Sequence, residues 1–251
     1  MDKNLRKVAI VTGGGRGIGA AIVNRLREDD ILVVACGRSA RPKGLDDDVI
    51  WVRADVSWSA DANRVVETAN KNGPVSILVN NAGVQVEKTV RDTTDEDWSN
   101  VIDINCRGVF NMSRAVLPTM EEFGGSIVNL GSISGHVADP SMAIYNASKG
   151  FVHSLTRSIA VDHGPAVRCN AVCPGWILTG MAESGFALAN DPEKAKDDAI
   201  ARHPVRRFGT PSDIANAVAW LVSDQASFVT GQLFTIDGGL TAASPLQPGL
   251  L

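Results

Sequence analysis

A glycine-rich loop near the start of the chain constrains its fold more than any other segment. The apolar run Lys7–Val11 leads into Thr12–Gly19, which reads TGGGRGIG, and a helical pattern follows through Leu26. Glycines allow positive φ angles and close backbone approach to a ligand, and the free N–H groups of a helix start attract a pyrophosphate. An isolated glycine motif is also compatible with a purely structural turn. The strand before this loop and the helix after it favour dinucleotide binding.

Short apolar runs and helical patterns keep alternating after this loop. The predicted strands cover residues 7–11, 31–36, 49–54, 75–79, 125–130, 167–172 and 232–236. This alternation predicts an α/β fold: a single Rossmann-type doubly wound domain over residues 1–251, with a seven-stranded, mostly parallel sheet and helices on both faces. Residues 180–207 lack a strong period, and we predict that they form a substrate lid.

The predicted helices lie between these strands. One covers residues 59–72, and another starts at a capping-box pattern formed by Thr94 and Asp97 and continues toward Met120. A helix carrying Tyr145 extends to about His163, and the last helix opens at Pro211.

The overall composition excludes several functional classes. A net charge of −4 gives no basic footprint for nucleic acid, and no apolar run reaches the ~18–20 residues of a membrane helix. The four cysteines are scattered in apolar contexts and the four histidines are dispersed, so we expect no metal site. The charged start of the chain contains no cleavage signal, and we expect a cytoplasmic protein.

The end of the second predicted strand bears on the choice of cofactor. An acidic residue there would bond both ribose hydroxyls of NAD and repel a 2′-phosphate. The chain has Gly37 and Arg38 at this place, with Arg16 in the glycine loop. Two guanidinium groups suit a phosphate dianion, so the pattern favours NADP over NAD. The alternative is that Arg38 and Arg41 are solvated loop charges.

The chemistry of the chain is indicated by its only tyrosine. Tyr145 precedes Lys149 by four residues, so the two side chains share one face of a helix, and Ser132 lies at the end of the fifth predicted strand. A nearby cation is expected to lower the pKa of a tyrosine below its usual value of ~10, which suits proton transfer between an alcohol and a ketone. A serine hydroxyl can hydrogen-bond the same substrate oxygen.

With these motifs the chain resembles the short-chain dehydrogenase/reductase family, of the type with a chain near 250 residues. Within that family it resembles members that are similar to 3-oxoacyl carrier-protein reductases. The resemblance covers residues 5–240. It depends on motifs that occur in the family's order: the loop Thr12–Gly19, Asp55-Val56, NNAG at 80–83, Asn105, Ser132, YxxxK at 145–149 and PG at 174–175.

The resemblance implies roles for individual residues. Tyr145 would be the general acid or base, Lys149 would lower its pKa and hold the nicotinamide ribose, Ser132 would polarise the substrate oxygen, and Asn105 would hold a water. The implied cofactor-binding residues are Gly13, Arg16, Gly17, Ile18, Gly19, Arg38, Asp55, Val56, Asn81, Ala82, Gly83, Tyr145, Lys149, Pro174, Gly175, Ile177 and Thr179. Most relatives are tetramers built on the long helices bearing Asn105 and Tyr145, so the resemblance also implies a homotetramer. The tail Ala242–Leu251 has no clear counterpart in the family.

The substrate is less constrained than the reaction. We expect a pocket with aromatic and thioether surface that suits a partly apolar ketone, formed by Ser134, His136, Met142, Trp176, Met181 and Phe186. The main prediction is an NADP-dependent enzyme that interconverts a ketone and a secondary alcohol by hydride transfer. Two alternatives remain: an NAD-dependent alcohol or polyol dehydrogenase working oxidatively, and a dinucleotide-binding regulator without turnover.

Overall fold

The computed structural model describes residues 6–180 and 190–242. Its seven strands are β1 (Val8–Thr12), β2 (Leu32–Gly37), β3 (Ile50–Arg53), β4 (Val75–Asn80), β5 (Gly125–Leu130), β6 (Val167–Pro174) and β7 (Leu233–Ile236). The helices are α1 (Gly17–Glu28), α2 (Ser59–Asn70), α3 (Asp95–Ile102), α4 (Val109–Phe123), α5 (Ala143–Asp162), α6 (Pro192–Arg202) and α7 (Pro211–Val222).

The strands form one sheet in the order β3-β2-β1-β4-β5-β6-β7, and every neighbouring pair is parallel. The predicted doubly wound fold is therefore confirmed, with a sheet that is wholly rather than mostly parallel. The chain moves outward from β1 to β3 and then returns to place β4 on the other side of β1. Ligands of such sheets bind at the carboxyl ends of the strands where the order reverses, here between β1 and β4.

Both faces of the sheet are covered, which explains why its strands are nearly continuous apolar runs. One face packs on α1 and α7 through side chains such as Leu26 and Leu221. The other face packs on α2, α4 and α5 through residues such as Met112 and Ile159. The four cysteines are free and buried, as their apolar contexts indicate.

The helix predicted to run from Thr94 toward Met120 is interrupted. Its capping box is present, with Thr94 and Asp97 each bonding the other's backbone N–H, but a π-helical segment (Asp103–Gly108) separates α3 from α4. Gly108 fits this segment against Val56, because a Cβ at Gly108 would lie 2.6 Å from the Val56 Cγ2 atom. The spacing of apolar residues is nearly the same before and after the π-helical segment. The sequence pattern therefore did not reveal the extra residue in its turn.

The predicted lid contains a helix that the apolar pattern did not show. None of the residues of α6 is buried, so it has no apolar stripe to detect. Its signal is local: Asp191 caps the N–H of Lys194, and Pro192 occupies the first turn. Residues 181–189, with the predicted pocket residues Met181 and Phe186, and tail residues 243–251 lie outside the described residues. The lid itself stays a prediction.

No helix in the described ranges combines the length and apolar character needed to cross a lipid bilayer.

Candidate active site

The glycine loop after β1 and the NNAG loop after β4 are joined by hydrogen bonds. The Asn81 Nδ2 donates to the carbonyl oxygens of Thr12 (2.8 Å) and Gly13 (3.2 Å). In return the Thr12 Oγ1 accepts from the backbone N–H groups of Asn81 and Ala82, both at 3.0 Å. The two loops therefore form one rigid floor at the point where the strand order reverses.

The two joined loops leave no space for a side chain at Gly13 or Gly19. Gly13 has a φ of +64°, and a Cβ at Gly19 would lie 2.2 Å from the Gly13 carbonyl oxygen. The first turn of α1 has neither a side-chain cap from Arg16 nor an acidic residue, so the protein does not itself neutralise its N–H groups. A cradle of backbone beside an uncapped helix start fits the pyrophosphate of a dinucleotide.

A cavity of about 440 Å³ lies beyond the ends of β2 and β3. Its lining consists of Arg38, Arg53, Ala54, Asp55, Asp61 and Arg64. Sequence reasoning identified Arg38 and Asp55 but missed Arg53 and Arg64. Arg53 lies opposite Gly37 in the parallel register, a pairing that could have been found only by aligning these two strands. Arg16 is exposed and is not part of this lining.

Two arginines of this cavity, Arg53 and Arg64, are held by the backbone and by one carboxylate. The Arg53 Nε donates to the Arg38 carbonyl oxygen at 3.0 Å, and the Arg64 Nη2 donates to the Arg53 carbonyl oxygen at 2.9 Å. Arg64 also pairs with Asp61 at 2.5 Å. Arg64 is therefore largely neutralised, and Arg38 and Arg53 carry the positive charge that faces the cavity.

Tyr145, Lys149 and Ser132 come together where β5 meets α5. Lys149 is buried, its Nζ donates to the Leu130 carbonyl oxygen at 2.8 Å, and it lies 5.5 Å from the centroid of the Tyr145 ring. Ser132 lies just beyond β5, after Gly131, and a side-chain hydrogen bond from it lowers the pKa of Tyr145. A Cβ at Gly83 would lie 3.9 Å from the Lys149 Nζ, so these groups border the NNAG loop.

The electrostatics of this group differ from the sequence-based expectation. Burial raises the pKa of Tyr145 to about 12; the bond with Ser132 opposes this rise, and the negative charge of Asp139 adds to it. Burial also lowers the pKa of Lys149 to about 8, against smaller opposing effects of Cys173 and Cys106. Desolvation is the largest effect on both groups, so the pKa of Tyr145 lies above its ordinary value and not below it as the sequence led us to expect.

Asn105 is fully engaged by protein groups. Its Oδ1 accepts from the Val84 N–H at 2.9 Å, and its Nδ2 donates to the Val84 carbonyl oxygen at 2.8 Å and to the Ser148 Oγ at 3.0 Å. The Ser148 hydroxyl in turn donates to the Tyr145 carbonyl oxygen at 2.7 Å. The amide therefore ties the segment after the NNAG loop to the first turn of α5, and its predicted role in holding a water stays a prediction.

Two of the histidines that appeared dispersed in the sequence are neighbours. The rings of His136 and His153 lie 4.5 Å apart, and the His153 Nε2 is 3.2 Å from the Cys173 Sγ, so that the three side chains bring their donor atoms within 4.8 Å. Burial raises the pKa of the Cys173 thiol to about 12 and lowers that of His153 to about 4. The thiol thus keeps its proton beside a neutral imidazole, and the two groups share one hydrogen bond.

The remaining predicted pocket residues are spread around the crevice. Ser134 is buried and bonds Ser132, whereas His136 is exposed. Met142 immediately precedes α5, and Trp176 follows β6 with 37% of its surface exposed.

A second cavity of about 200 Å³ lies beside the Pro174-Gly175 turn. Ile177 and Trp176 line it, together with Val205, Arg207, Gly209, Asp213, Ile236, Asp237 and Gly238. Gly175 permits a close approach there, since a Cβ would lie 2.7 Å from that of Asp237.

Comparison with known proteins agrees with this geometry. A family model described as Enoyl-(Acyl carrier protein) reductase matches residues 13–241. The chain is 42% identical to 2-(S)-hydroxypropyl-CoM dehydrogenase 3 of Xanthobacter autotrophicus, over 94% of this chain and 97% of that one. It is 39% identical to the NADP-dependent (R)-specific alcohol dehydrogenase of Lentilactobacillus kefiri, over 96% and 99% of the two chains. The ligand-free structure of Thermoplasma acidophilum aldohexose dehydrogenase superposes with a TM-score of 0.92 at 34% identity, covering 97% and 98%.

The fold and the site together define an oxidoreductase of the Rossmann class that acts on CH–OH groups. The chain belongs to the short-chain dehydrogenase/reductase family.

Proposed function

We propose that this protein is an NADP-dependent oxidoreductase that interconverts a ketone and a secondary alcohol, with Tyr145 as the general acid and base. The observation that supports the proposal is the convergence of Tyr145, Lys149 and Ser132 beside the NNAG loop, at the carboxyl ends of the strands. When bound, the nicotinamide supplies or accepts the hydride.

The chain's own residues would manage the proton and the developing charge. In reduction, Tyr145 donates its hydroxyl proton to the carbonyl oxygen while a hydride adds to the carbon, and the resulting phenolate is later reprotonated. Ser132 hydrogen-bonds the same oxygen as it becomes negative. Lys149, held to the Leu130 carbonyl oxygen, places a cation beside the ring at the moment when the phenolate forms. Oxidation uses the same groups in reverse.

The proposal of NADP rests on the cavity at the ends of β2 and β3. Arg38 and Arg53 face it, and guanidinium groups bind a phosphate dianion through paired, charge-assisted hydrogen bonds. The 39% identical relative from Lentilactobacillus kefiri is described as NADP-dependent, which supports the same assignment. The second candidate is NAD, for which Asp55 and Asp61 are the carboxylates that line the cavity.

A small or medium-sized, partly apolar carbonyl compound is the substrate class that we propose. Trp176 contributes aromatic surface at the edge of the crevice, and relatives described as acting on hydroxypropyl-CoM and on (R)-alcohols fit the same class. The proposal includes a cytoplasmic, homotetrameric enzyme with a lid over residues 180–207. Exposed Phe110 on α4 and Phe151 on α5 offer apolar contacts for such an assembly.

The test is a cofactor-monitored screen of the purified protein with NADPH and NADH against a panel of ketones, and with the oxidised cofactors against secondary alcohols. We expect turnover of at least one ketone with NADPH preferred. A preference for NADH would replace the cofactor assignment with the second candidate. Binding of cofactor without turnover of any compound would instead favour a non-catalytic regulator.

A further inference from the structure

Two imidazoles and one thiol form a cluster near the candidate acid–base group, and the proposed mechanism does not use them. The donor atoms of His136, His153 and Cys173 all lie within 4.8 Å of one another. The two imidazole rings are 4.5 Å apart, and the His153 Nε2 is 3.2 Å from the Cys173 Sγ. Within residues 6–180 and 190–242, no other set of three His, Cys, Asp or Glu side chains converges in this way.

The three residues come from different parts of the fold, which is why the sequence does not reveal the cluster. Cys173 lies in β6, His153 lies in α5, and His136 directly follows the short 3₁₀ turn Ile133–Gly135. The packing of α5 on β6 brings their side chains together beyond the carboxyl end of β5. The expectation of no metal site relied on the separation of these residues along the chain, and the fold removes that separation.

The spacing of the donor atoms fits a transition-metal ion. Zn²⁺ binds a thiolate sulfur at about 2.3 Å and an imidazole nitrogen at about 2.0–2.1 Å, so the donor atoms of a tetrahedral zinc site lie roughly 3.3–3.6 Å apart. The 3.2 Å between the His153 Nε2 and the Cys173 Sγ is already close to this value. His136 is exposed, so its ring can turn through the remaining distance.

Two glycines fit the backbone closely around the buried pair of donors. A Cβ at Gly135 would lie 2.3 Å from the His153 Cε1, so the backbone packs directly on the imidazole. A Cβ at Gly131 would lie 2.6 Å from the His153 Nε2 and 2.9 Å from the Cys173 Sγ, so this glycine leaves open the space beside both donor atoms. His153 and Cys173 are both buried. The pair is therefore fixed before an ion binds, and only His136 has to move.

We propose that His136, His153 and Cys173 form a binding site for a divalent transition-metal ion, with Zn²⁺ as the ion that fits best. Thiolate and imidazole together are a ligand set of Zn²⁺, whereas Mg²⁺ and Ca²⁺ require oxygen ligands. Three protein ligands leave the fourth tetrahedral position for water. The ion replaces the proton of the Cys173 thiol, so one proton is released for each ion bound.

Two nearby cations limit the affinity of this site. Lys149 and Arg157 on α5 both act electrostatically on His153 and on Cys173. These positive charges favour the Cys173 thiolate but repel a divalent ion. We therefore expect reversible binding that is weaker than in a structural zinc centre with four protein ligands.

Cobalt(II) is the probe, because it occupies zinc sites and a thiolate ligand gives it a charge-transfer band in the near ultraviolet. Untagged protein is titrated with Co²⁺ in the absence of added thiols and chelators, and Zn²⁺ is then added to displace it. The variants are His136→Gln and Cys173→Ala. The controls are His163→Gln, at the other end of α5, and Cys106→Ala, which removes another buried thiol near Lys149.

We expect a saturable charge-transfer band that reaches its maximum at one Co²⁺ per chain and disappears when Zn²⁺ is added. Cys173→Ala should abolish the band. His136→Gln should weaken Zn²⁺ binding at least about tenfold, because even the loss of a group that only supports a metal ligand costs about 10–100-fold in affinity. His163→Gln and Cys106→Ala should bind both ions as the unaltered protein does.

Absence of the charge-transfer band in the unaltered protein overturns the inference, because Cys173 would then not bind the ion. Equal Zn²⁺ affinity of His136→Gln and the unaltered protein overturns it as well, and so does a band that persists in Cys173→Ala. If Cys173→Ala does not fold, the exposed position of His136 keeps the test decisive. The titration uses neither cofactor nor substrate, so its result does not depend on the proposed function.

Discussion

At the scale of the residue, burial of the Lys149 ammonium group lowers the stability of the folded protein. The proposed mechanism nevertheless requires a charged group at this position. Burial lowers its pKa from the ordinary 10.5 to about 8, so its charged form is disfavoured in the folded protein. Below pH 8 both the folded and the unfolded chain carry the charge, and the folded state bears the full cost. Between pH 8 and 10.5 the folded state loses the proton first, so this contribution to stability rises with pH.

We therefore predict that Lys149→Met stabilises the fold while abolishing turnover. The free energy of unfolding should increase at pH 7 by about 1–3 kcal/mol, less what the lost bond to the Leu130 carbonyl oxygen contributes, and the gain should shrink toward pH 10.5. Urea denaturation at both pH values measures this. Exposed Lys71→Met is the control and should change little. Equal or lower stability of Lys149→Met at pH 7 would contradict the account.

A contact between individual residues could be predicted from the sequence where their spacing alone indicates it. The spacing of Tyr145 and Lys149 was sufficient to predict that the two side chains meet. The direction of the tyrosine pKa was not predictable, because it depends on how deeply both groups are buried. The bond between Asp139 and Ser134 was not predictable either, because it depends on how the loop before α5 folds back.

At the scale of the element, the turn from β1 into α1 leaves no space for a side chain at Gly19. A Cβ there would lie 2.2 Å from the Gly13 carbonyl oxygen and 2.6 Å from the Asn81 Nδ2. We predict that Gly19→Ala displaces the loop and weakens NADPH binding at least about tenfold, which corresponds to ~1.4 kcal/mol. Fluorescence titration of NADPH measures it. Asn24→Ala, on the exposed side of the same helix, should bind normally. Normal binding by Gly19→Ala would show that the cofactor does not use this cradle.

A second prediction at this scale concerns the π-helical segment. Replacing buried Asn105 by alanine leaves the N–H and C=O of Val84 without their partner, and we expect a loss of about 1–3 kcal/mol in the free energy of unfolding. Chemical denaturation tests this. A loss below ~0.5 kcal/mol would mean that other groups replace the amide. Strands and caps were predictable from sequence, whereas this segment was not, since its apolar pattern continues across the extra residue.

At the scale of the molecule, the distribution of charge matters more than its sum. The chain has a net charge of −4, yet three arginines gather at the ends of β2 and β3. The sequence revealed Arg38 because it follows its strand almost directly. Arg53 lies near Arg38 because β2 and β3 pair in parallel, and Arg64 is brought to the same place by α2. Both placements depend on the order of the strands.

We predict that this cluster sets the cofactor preference. Arg38→Asp should lower the ratio of NADP to NAD affinity by at least about tenfold, since charge-assisted bonds to phosphate contribute ~1.5–3 kcal/mol. Binding titrations with both cofactors measure the ratio. Arg91→Asp, at a highly exposed arginine outside the cavity, is the matched control. An unchanged ratio in Arg38→Asp would remove the basis for NADP.

The most direct measurement of the central claim compares the unaltered protein with Tyr145→Phe, using NADPH and the ketone that the screen identifies. The substitution removes one hydroxyl and leaves the ring. The account predicts a fall in kcat/KM of ~10²–10⁴-fold with NADPH affinity unchanged, because the lost group transfers the proton and does not hold the adenosine end. Turnover by Tyr145→Phe within a few-fold of the unaltered protein would contradict the account.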